Sequence, residues 1–120
     1  PGAPAGGSWH SDRNAVPGGI AAIVADVSFI SLTKALPTAL ALAAPGCWLV
    51  ALVKPQFEAG REAVGKGGIV RDEAVRQKAL SDVSEWLAGQ KGWFVTGKVE
   101  SPISGGDGNL EYLLGALFEL

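Results

Sequence analysis

The sequence predicts an α/β fold built around a largely parallel sheet. Two short apolar segments, Ile20–Asp26 and Cys47–Val53, have the composition of buried parallel strands, and a charged residue marks the end of each. A helical segment separates them, and a second, amphipathic helix precedes two further strand-like segments. Strands that alternate with helices are typical of parallel sheets with right-handed crossovers, so the predicted order is β-α-β-α-β-β.

The residues between the two apolar segments predict a helix. Ser31 and Thr33 can each cap its first turn, and the helix would continue to about Ala44, where Pro45–Gly46 closes it. The same Pro–Gly pair divides 19 consecutive uncharged residues, which together approach the length of a membrane span. A helix, a turn and a buried strand therefore explain this stretch better than a transmembrane helix does.

The second half of the chain predicts a loop, a helix and two strands. A long glycine-bearing loop covers Pro55–Arg71, and Asp72 can cap the helix that follows it. The apolar residues of that helix recur at helical spacing: Val75, Ala79, Val83, Trp86 and Leu87. Strands are predicted at Trp93–Glu100 and at about Asn109–Phe118. Because their connection is too short for a crossover helix, the last strand should run antiparallel.

Composition limits the class of protein further. The chain has 120 residues, of which 48% are hydrophobic, so one small domain with its own core is expected and wholesale disorder is excluded. A net charge of −2 offers no general positive field, so nucleic-acid binding would need a local basic patch. Cys47 and His10 alone cannot form a disulfide or a multi-ligand His/Cys metal site, which favours the cytosol. Cys47, Trp48, Trp86 and Trp93 are expected in the core.

Two regions differ in composition. Residues 1–19 are rich in Gly, Pro, Ala and Ser and show no helical or strand period, which predicts a flexible leader or an expression remnant. They lack the basic and apolar regions of a signal peptide. Residues 20–120 carry all of the predicted elements.

Three ionisable residues are predicted to meet at one edge of the sheet. Asp26 follows the first strand, Lys54 follows the second, and Glu111 lies near the beginning of the antiparallel last strand. Ligands of parallel α/β sheets bind at the carboxyl ends of the strands. A Lys–carboxylate network there can position a hydroxyl group and remove its proton. The alternative is structural, because charged residues are common wherever strands end at solvent.

The predicted loop contains a basic cluster. Gly60–Gly67 nearly fits the phosphate-binding P-loop pattern, but Gly67 stands where a Ser or Thr hydroxyl is needed, so nucleoside triphosphate binding is rejected. Two interpretations remain open for Arg61, Lys66 and Arg71. They belong either to a mobile surface loop or to a basic lid that contacts the phosphates of a polynucleotide.

Three strings in the sequence resemble a known family. They are DVSFISL at Asp26–Leu32, LVKPQFEAGREAVGKGGIVRD at Leu49–Asp72 and SPISGGDGNLEYLL at Ser101–Leu114. In order and spacing they are similar to the TlyA family of hemolysin-like ribosomal RNA 2′-O-methyltransferases, within the FtsJ-like methyltransferases. The resemblance implies a Rossmann-like fold, S-adenosylmethionine as the cofactor, and ribosomal RNA or a ribosomal subunit as the partner in the cytoplasm.

The resemblance also assigns roles to residues. The family's Lys-Asp-Lys-Glu catalytic tetrad places its Asp on Asp26, its second Lys on Lys54 and its Glu on Glu111. It implies that Lys54 helps to deprotonate a ribose hydroxyl while Asp26 and Glu111 fix the orientation and charge of the site. The resemblance leaves the cofactor-binding residues of this chain unknown.

Several features of the family have no counterpart in this sequence: the first tetrad Lys, the glycine-rich cofactor motif and the S4-like RNA-binding domain. We therefore expect the carboxyl-terminal half of a methyltransferase domain, which by itself neither binds the cofactor nor catalyses. Exposed sheet edges of such a half could pair with a second copy of the chain. The alternatives are a non-catalytic module that binds RNA or a partner chain, and a membrane-active hemolysin.

Overall fold

The computed structural model describes residues 18–103 and 108–120, which form a four-stranded sheet. Strand β1 (Ile20–Ala25) is parallel to β2 (Ala43–Val53). Strand β4 (Tyr112–Phe118) lies between β2 and β3 (Trp93–Glu100) and is antiparallel to both, so the strand order is β1-β2-β4-β3. The helices are α1 (Leu32–Ala35), α2 (Pro37–Ala41), α3 (Pro55–Glu58) and α4 (Glu73–Ala88).

This architecture confirms the predicted α/β class, the parallel first pair of strands and the antiparallel last strand. The cap of α4 is confirmed as well, because the Asp72 carboxylate accepts a hydrogen bond from the Ala74 backbone N–H. Residues 1–17 of the predicted leader lie outside the described ranges.

The predicted helix between the first two strands differs from the observed one. It is divided into α1 and α2, because Pro37 cannot donate a backbone hydrogen bond and starts a new helix instead. It also ends at Ala41, and Pro45–Gly46 lies inside β2 rather than in a closing turn. These residues join the strand because they pair with β1. The register of that pairing shifts between Ala43 and Trp48, near Gly46, whose φ is 89°. In the part of the chain described, no helix is long and apolar enough to cross a membrane.

Helices α1, α2 and α4 contribute to a single core on one face of the sheet. Alternate residues of β2, Cys47 to Val53, are buried there, together with side chains from α1, α2 and α4 such as Leu32, Leu40 and Leu87. Burial raises the pKa of the Cys47 thiol, as expected for a cysteine that packs in the core.

The opposite face of the sheet carries apolar side chains that remain exposed. Trp48 is 48% exposed there. By the register of the strands, Val24 on β1 and Phe94 on β3 lie on the same face, and both are exposed as well. The prediction that Trp48 belongs to the core is therefore wrong, whereas Trp93 is buried as predicted. Alternation along a strand indicates which residues share a face, but it does not indicate which face the helices cover.

Candidate active site

The three ionisable residues of the sequence analysis lie at one edge of the sheet. Asp26 directly follows β1, and Lys54 directly follows the parallel strand β2. Val53 and Tyr112 are paired across β2 and β4, so Glu111 precedes β4 at the position opposite Lys54. The topology alone thus brings together residues that are up to 85 positions apart in the chain.

Lys54 forms the centre of a polar cluster at this edge. Its Nζ lies 2.6 Å from Oδ1 of Asp26 and donates a hydrogen bond of 3.0 Å to Oγ of Ser28. The Lys54 side chain is only 13% exposed, whereas the Asp26 side chain is 64% exposed. The Nζ of Lys54 therefore extends from a largely buried side chain toward an accessible carboxylate. This arrangement is suited to orienting a hydroxyl group.

Glu111 belongs to the same edge but has a different partner. It is 6% exposed, and its Oε2 accepts a hydrogen bond of 3.0 Å from Nε2 of Gln56, two residues after Lys54. Within the described ranges, the ion pair of Lys54 is with Asp26 and not with Glu111. The edge therefore contains one Lys–Asp pair and one Gln–Glu pair, side by side.

The loop after β1 presents an exposed aromatic residue beside the cluster. Phe29 is 89% exposed and has a φ of 66°, a left-handed conformation that is costly for a bulky side chain. Its ring contacts that of Phe57 on α3, with centroids 4.9 Å apart. Neither residue was predicted from the sequence, although a Phe between Asp26 and Ser31, just after the first strand, was a possible signal.

A carboxylate of α3 fixes the other end of this loop. Glu58 accepts hydrogen bonds from Oγ of Ser31 at 2.7 Å and from the Leu32 backbone N–H at 2.9 Å. Ser31 itself caps α1 by accepting a bond from the Thr33 N–H, as predicted. Helices α1 and α3 are thereby joined, which holds the loop that contains Asp26 against the turn that contains Lys54.

The long loop after Lys54 is more structured than the sequence predicts. It contains α3 and two short 3₁₀ turns, Arg61–Ala63 and Lys66–Gly68. In the second turn, Gly67 and Gly68 adopt positive φ values of 77° and 76°, which few other residues tolerate. Arg61, Lys66 and Arg71 are all exposed, and none forms an ion pair with a residue that the structure describes.

Asn109 connects this loop to the edge of the sheet. It is 1% exposed, its Oδ1 accepts a bond of 2.9 Å from the Val70 N–H, and its Nδ2 donates one of 2.9 Å to the Gly68 carbonyl. Glu111 follows two residues later. The sequence predicts Asn109 only as the start of a strand, since nothing in a single sequence distinguishes a buried, bonded Asn from one in a turn.

These features define the class of protein. A parallel strand pair extended by an antiparallel strand, with a Lys–carboxylate cluster at the carboxyl edge, is the arrangement of a Rossmann-like enzyme domain. The chain matches the FtsJ-like methyltransferase family over residues 10–118 and belongs to that family.

Individual relatives agree with the family. The chain is 54% identical over 89 residues to the "Putative rRNA methyltransferase YqxC" of Bacillus subtilis, covering 74% of this chain and 31% of that protein. It is 42% identical over 100 residues to the 16S/23S rRNA (cytidine-2′-O)-methyltransferase TlyA of Mycobacterium tuberculosis, covering 83% of this chain and 37% of that one.

A solved structure shows the same fold at similar identity. The "Putative hemolysin" from Streptococcus thermophilus is 42% identical, with a TM-score of 0.79 over 89% of this chain and 38% of that chain. The chain thus spans roughly a third of the length of each of these relatives. The resemblance to the TlyA family and the expected partial methyltransferase fold are confirmed.

Proposed function

We propose that the chain is the carboxyl-terminal part of a ribosomal RNA ribose 2′-O-methyltransferase and supplies most of its reacting groups. The observation that carries the proposal is the contact of Lys54 with Asp26 and Ser28 at the carboxyl edge of the sheet, in a member of a methyltransferase family. Relatives at 42% identity bear the name of rRNA (cytidine-2′-O)-methyltransferase. An enzyme with this substrate works where ribosomes are, which places it in the cytoplasm.

The Lys–Asp pair has a defined task in such a reaction. A ribose hydroxyl that enters the edge meets the Lys54 Nζ, whose position is fixed by Asp26 and Ser28. When the hydroxyl oxygen bonds to the methyl carbon, the bond from that carbon to the donor atom breaks and its electron pair leaves with the donor. The hydroxyl proton passes to the Asp26 carboxylate of the Lys54–Asp26 pair, which is exposed and can release it to solvent.

The residues at this edge fit the reacting end of S-adenosylmethionine. That cofactor, when bound, supplies a methyl group on a positively charged sulfur, and the carboxylates of Asp26 and Glu111 provide negative charge at the edge. The described ranges contain no glycine-rich strand–turn–helix that could hold its adenosine portion. We therefore assign the catalytic edge to this chain and leave its cofactor-binding residues unassigned.

RNA recognition is assigned to the exposed residues around the edge. Arg61, Lys66 and Arg71 lie on the loop that Asn109 joins to the site, where they can contact phosphates despite the net negative charge of the chain. Phe29 offers a flat, exposed ring next to the Lys–Asp pair. Unpaired RNA bases stack on such rings, so Phe29 can hold the nucleotide whose ribose is methylated.

Replacing Phe29 by Ala tests the role of this ring. We expect KM for RNA to rise about 5- to 150-fold, since stacking of one base contributes about 1–3 kcal/mol, while the affinity for S-adenosylmethionine changes little. Steady-state kinetics and calorimetry measure the two quantities. Phe94→Ala is a matched control, because Phe94 is also exposed but lies on β3 away from the edge residues. An unchanged KM in Phe29→Ala would exclude the stacking role.

The proposed function itself is tested with the complete protein that contains these residues. Purified enzyme, ribosomal subunits and labelled S-adenosylmethionine should give labelled rRNA, and the modified nucleotide should resist alkaline cleavage because its 2′ oxygen is blocked. Label in a base instead of a ribose, or in protein, would contradict a ribose 2′-O-methyltransferase. The leakage of liposomes would support the hemolysin alternative, and RNA binding without transfer would support a non-catalytic module.

A further inference from the structure

Gln56 bridges the turn after Lys54 and the buried Glu111, which lies 55 residues later in the sequence. The Nε2 of Gln56 donates to Oε2 of Glu111 at 3.0 Å, and Glu111 is 6% exposed. An ionised carboxylate only accepts hydrogen bonds, so the amide must present its NH₂ group to Glu111. The orientation of the Gln56 amide is therefore fixed by the chemistry of its partner.

The other half of the same amide has no partner. Oε1 of Gln56 is buried and accepts no hydrogen bond from any residue that the structure describes. Leaving a buried carbonyl oxygen unpaired is costly, and native proteins satisfy nearly all such atoms. A group of purely structural value at this position would be expected to have both of its polar atoms bonded.

The backbone that carries Gln56 is held firmly. Buried Pro55 opens α3 with a fixed φ, and the short helix is closed by bonds of 2.9 Å from the Phe57 N–H to the Lys54 carbonyl and from the Ala59 N–H to the Pro55 carbonyl. The amide therefore projects from a rigid turn that begins at Lys54. The hydrogen bond from Gln56 therefore fixes the position of Glu111 relative to Lys54.

We propose that Gln56 is a positioning residue of the methyl-transfer site. Its NH₂ group holds the Glu111 carboxylate in one orientation relative to the Lys54–Asp26 pair, and its unpaired Oε1 provides an acceptor for a donor group of the bound reactants. The inference rests on the proposed function. It assigns to Gln56 a role in the rate of transfer rather than in folding.

Two substitutions in the complete enzyme test this role. Gln56→Leu has a similar size but neither donates nor accepts, and we expect kcat to fall about 10- to 100-fold with KM for RNA within about twofold. Gln56→Glu retains an acceptor and loses the NH₂ donor at neutral pH, so its kcat should be equally low there. Thermal unfolding of both variants shows whether the fold is retained.

The pH dependence of Gln56→Glu separates positioning from a structural role. Beside the Glu111 carboxylate, the introduced carboxyl group retains a proton more readily because two adjacent negative charges repel each other. Its protonated O–H replaces the missing donor, so the ratio of variant to wild-type kcat should rise about tenfold between pH 8 and pH 6. Lys54 and Asp26 are present in both enzymes, so their contributions cancel and the ratio isolates the introduced group. Gln56→Leu, which has no titrating group, should show a flat ratio.

Gln90→Glu is the matched control, since the Nε2 of Gln90 donates a hydrogen bond to the Trp86 carbonyl at the far end of α4. It should have wild-type kcat at every pH. Folded Gln56→Leu with wild-type kcat, or a flat ratio for Gln56→Glu, would overturn the inference even though the wild-type enzyme methylates rRNA. Absence of methylation by the wild-type enzyme would instead overturn the proposed function, and the two failures are therefore distinguishable.

Discussion

Replacing Lys54 by Ala in the complete enzyme should abolish methyl transfer while S-adenosylmethionine binding stays nearly intact. The Nζ of Lys54 contacts both Asp26 and Ser28 at the carboxyl edge of the sheet. Its removal eliminates the group that orients the ribose hydroxyl and helps to remove its proton, a contribution on the order of 10²- to 10⁴-fold in kcat. Labelled methyl incorporation measures the loss, and calorimetry measures cofactor affinity.

A second Lys provides the control for this substitution. Lys78 also pairs with an aspartate, since its Nζ lies 2.8 Å from Oδ2 of Asp82, but both residues are exposed on α4. The nearby carboxylate raises the pKa of Lys78 and keeps it charged, as in any surface ion pair. Lys78→Ala should leave kcat unchanged. Substantial activity in Lys54→Ala would refute the role of Lys54, whatever the control shows.

Replacing Asn109 by Ala should both destabilise the fold and reduce activity. The buried Val70 N–H would lose its acceptor, and an unpaired buried donor costs about 1–3 kcal/mol. The Gly68 carbonyl is more exposed and can bond water instead. Because Asn109 also joins the basic loop to the segment of Glu111, we expect a lower Tm, and a kcat that remains low even well below the new Tm.

Asn109→Asp distinguishes the hydrogen bond to Val70 from the one to Gly68. The carboxylate retains an acceptor for the Val70 N–H but places a charged oxygen against the Gly68 carbonyl, so only part of the stability should return. Gln90→Ala is a suitable comparison, since it removes a hydrogen bond from a side-chain amide to a backbone carbonyl outside the site. Circular dichroism melts measure stability for all three variants. A Tm of Asn109→Ala equal to that of the wild type would contradict the linking role.

The sequence predicted the topology well, because its signals are local and strong. Two apolar segments ending in Asp26 and Lys54, with a helix between them, leave few alternatives to a parallel pair. The length of the last connection then determines the direction of β4. Together these facts were enough to predict that Glu111 meets the other two residues at one edge, although the roles of all three stay predictions.

The boundaries and the finer contacts could not be predicted in the same way. Residues 42–46 suit a helix end as well as a strand, and pairing with β1 decides between them. The hydrogen bonds of Gln56 to Glu111 and of the Val70 backbone N–H to Asn109 join residues that are 55 and 39 positions apart. Such contacts depend on the three-dimensional placement of whole elements, for which periodicity and capping signals carry no information.

The central position of β4 has a consequence for the order of folding. On a ribosome, β1, β2 and β3 are synthesised before β4 (Tyr112–Phe118). In the described sheet, however, β4 is the strand that pairs with β3 and also with the second side of β2. The sheet therefore closes only when this late segment inserts between two strands that are already present. The same insertion carries Glu111 to the side of Lys54 and Gln56. Completion of the sheet and assembly of the catalytic edge are thus one event, so an incompletely synthesised chain has no functional edge.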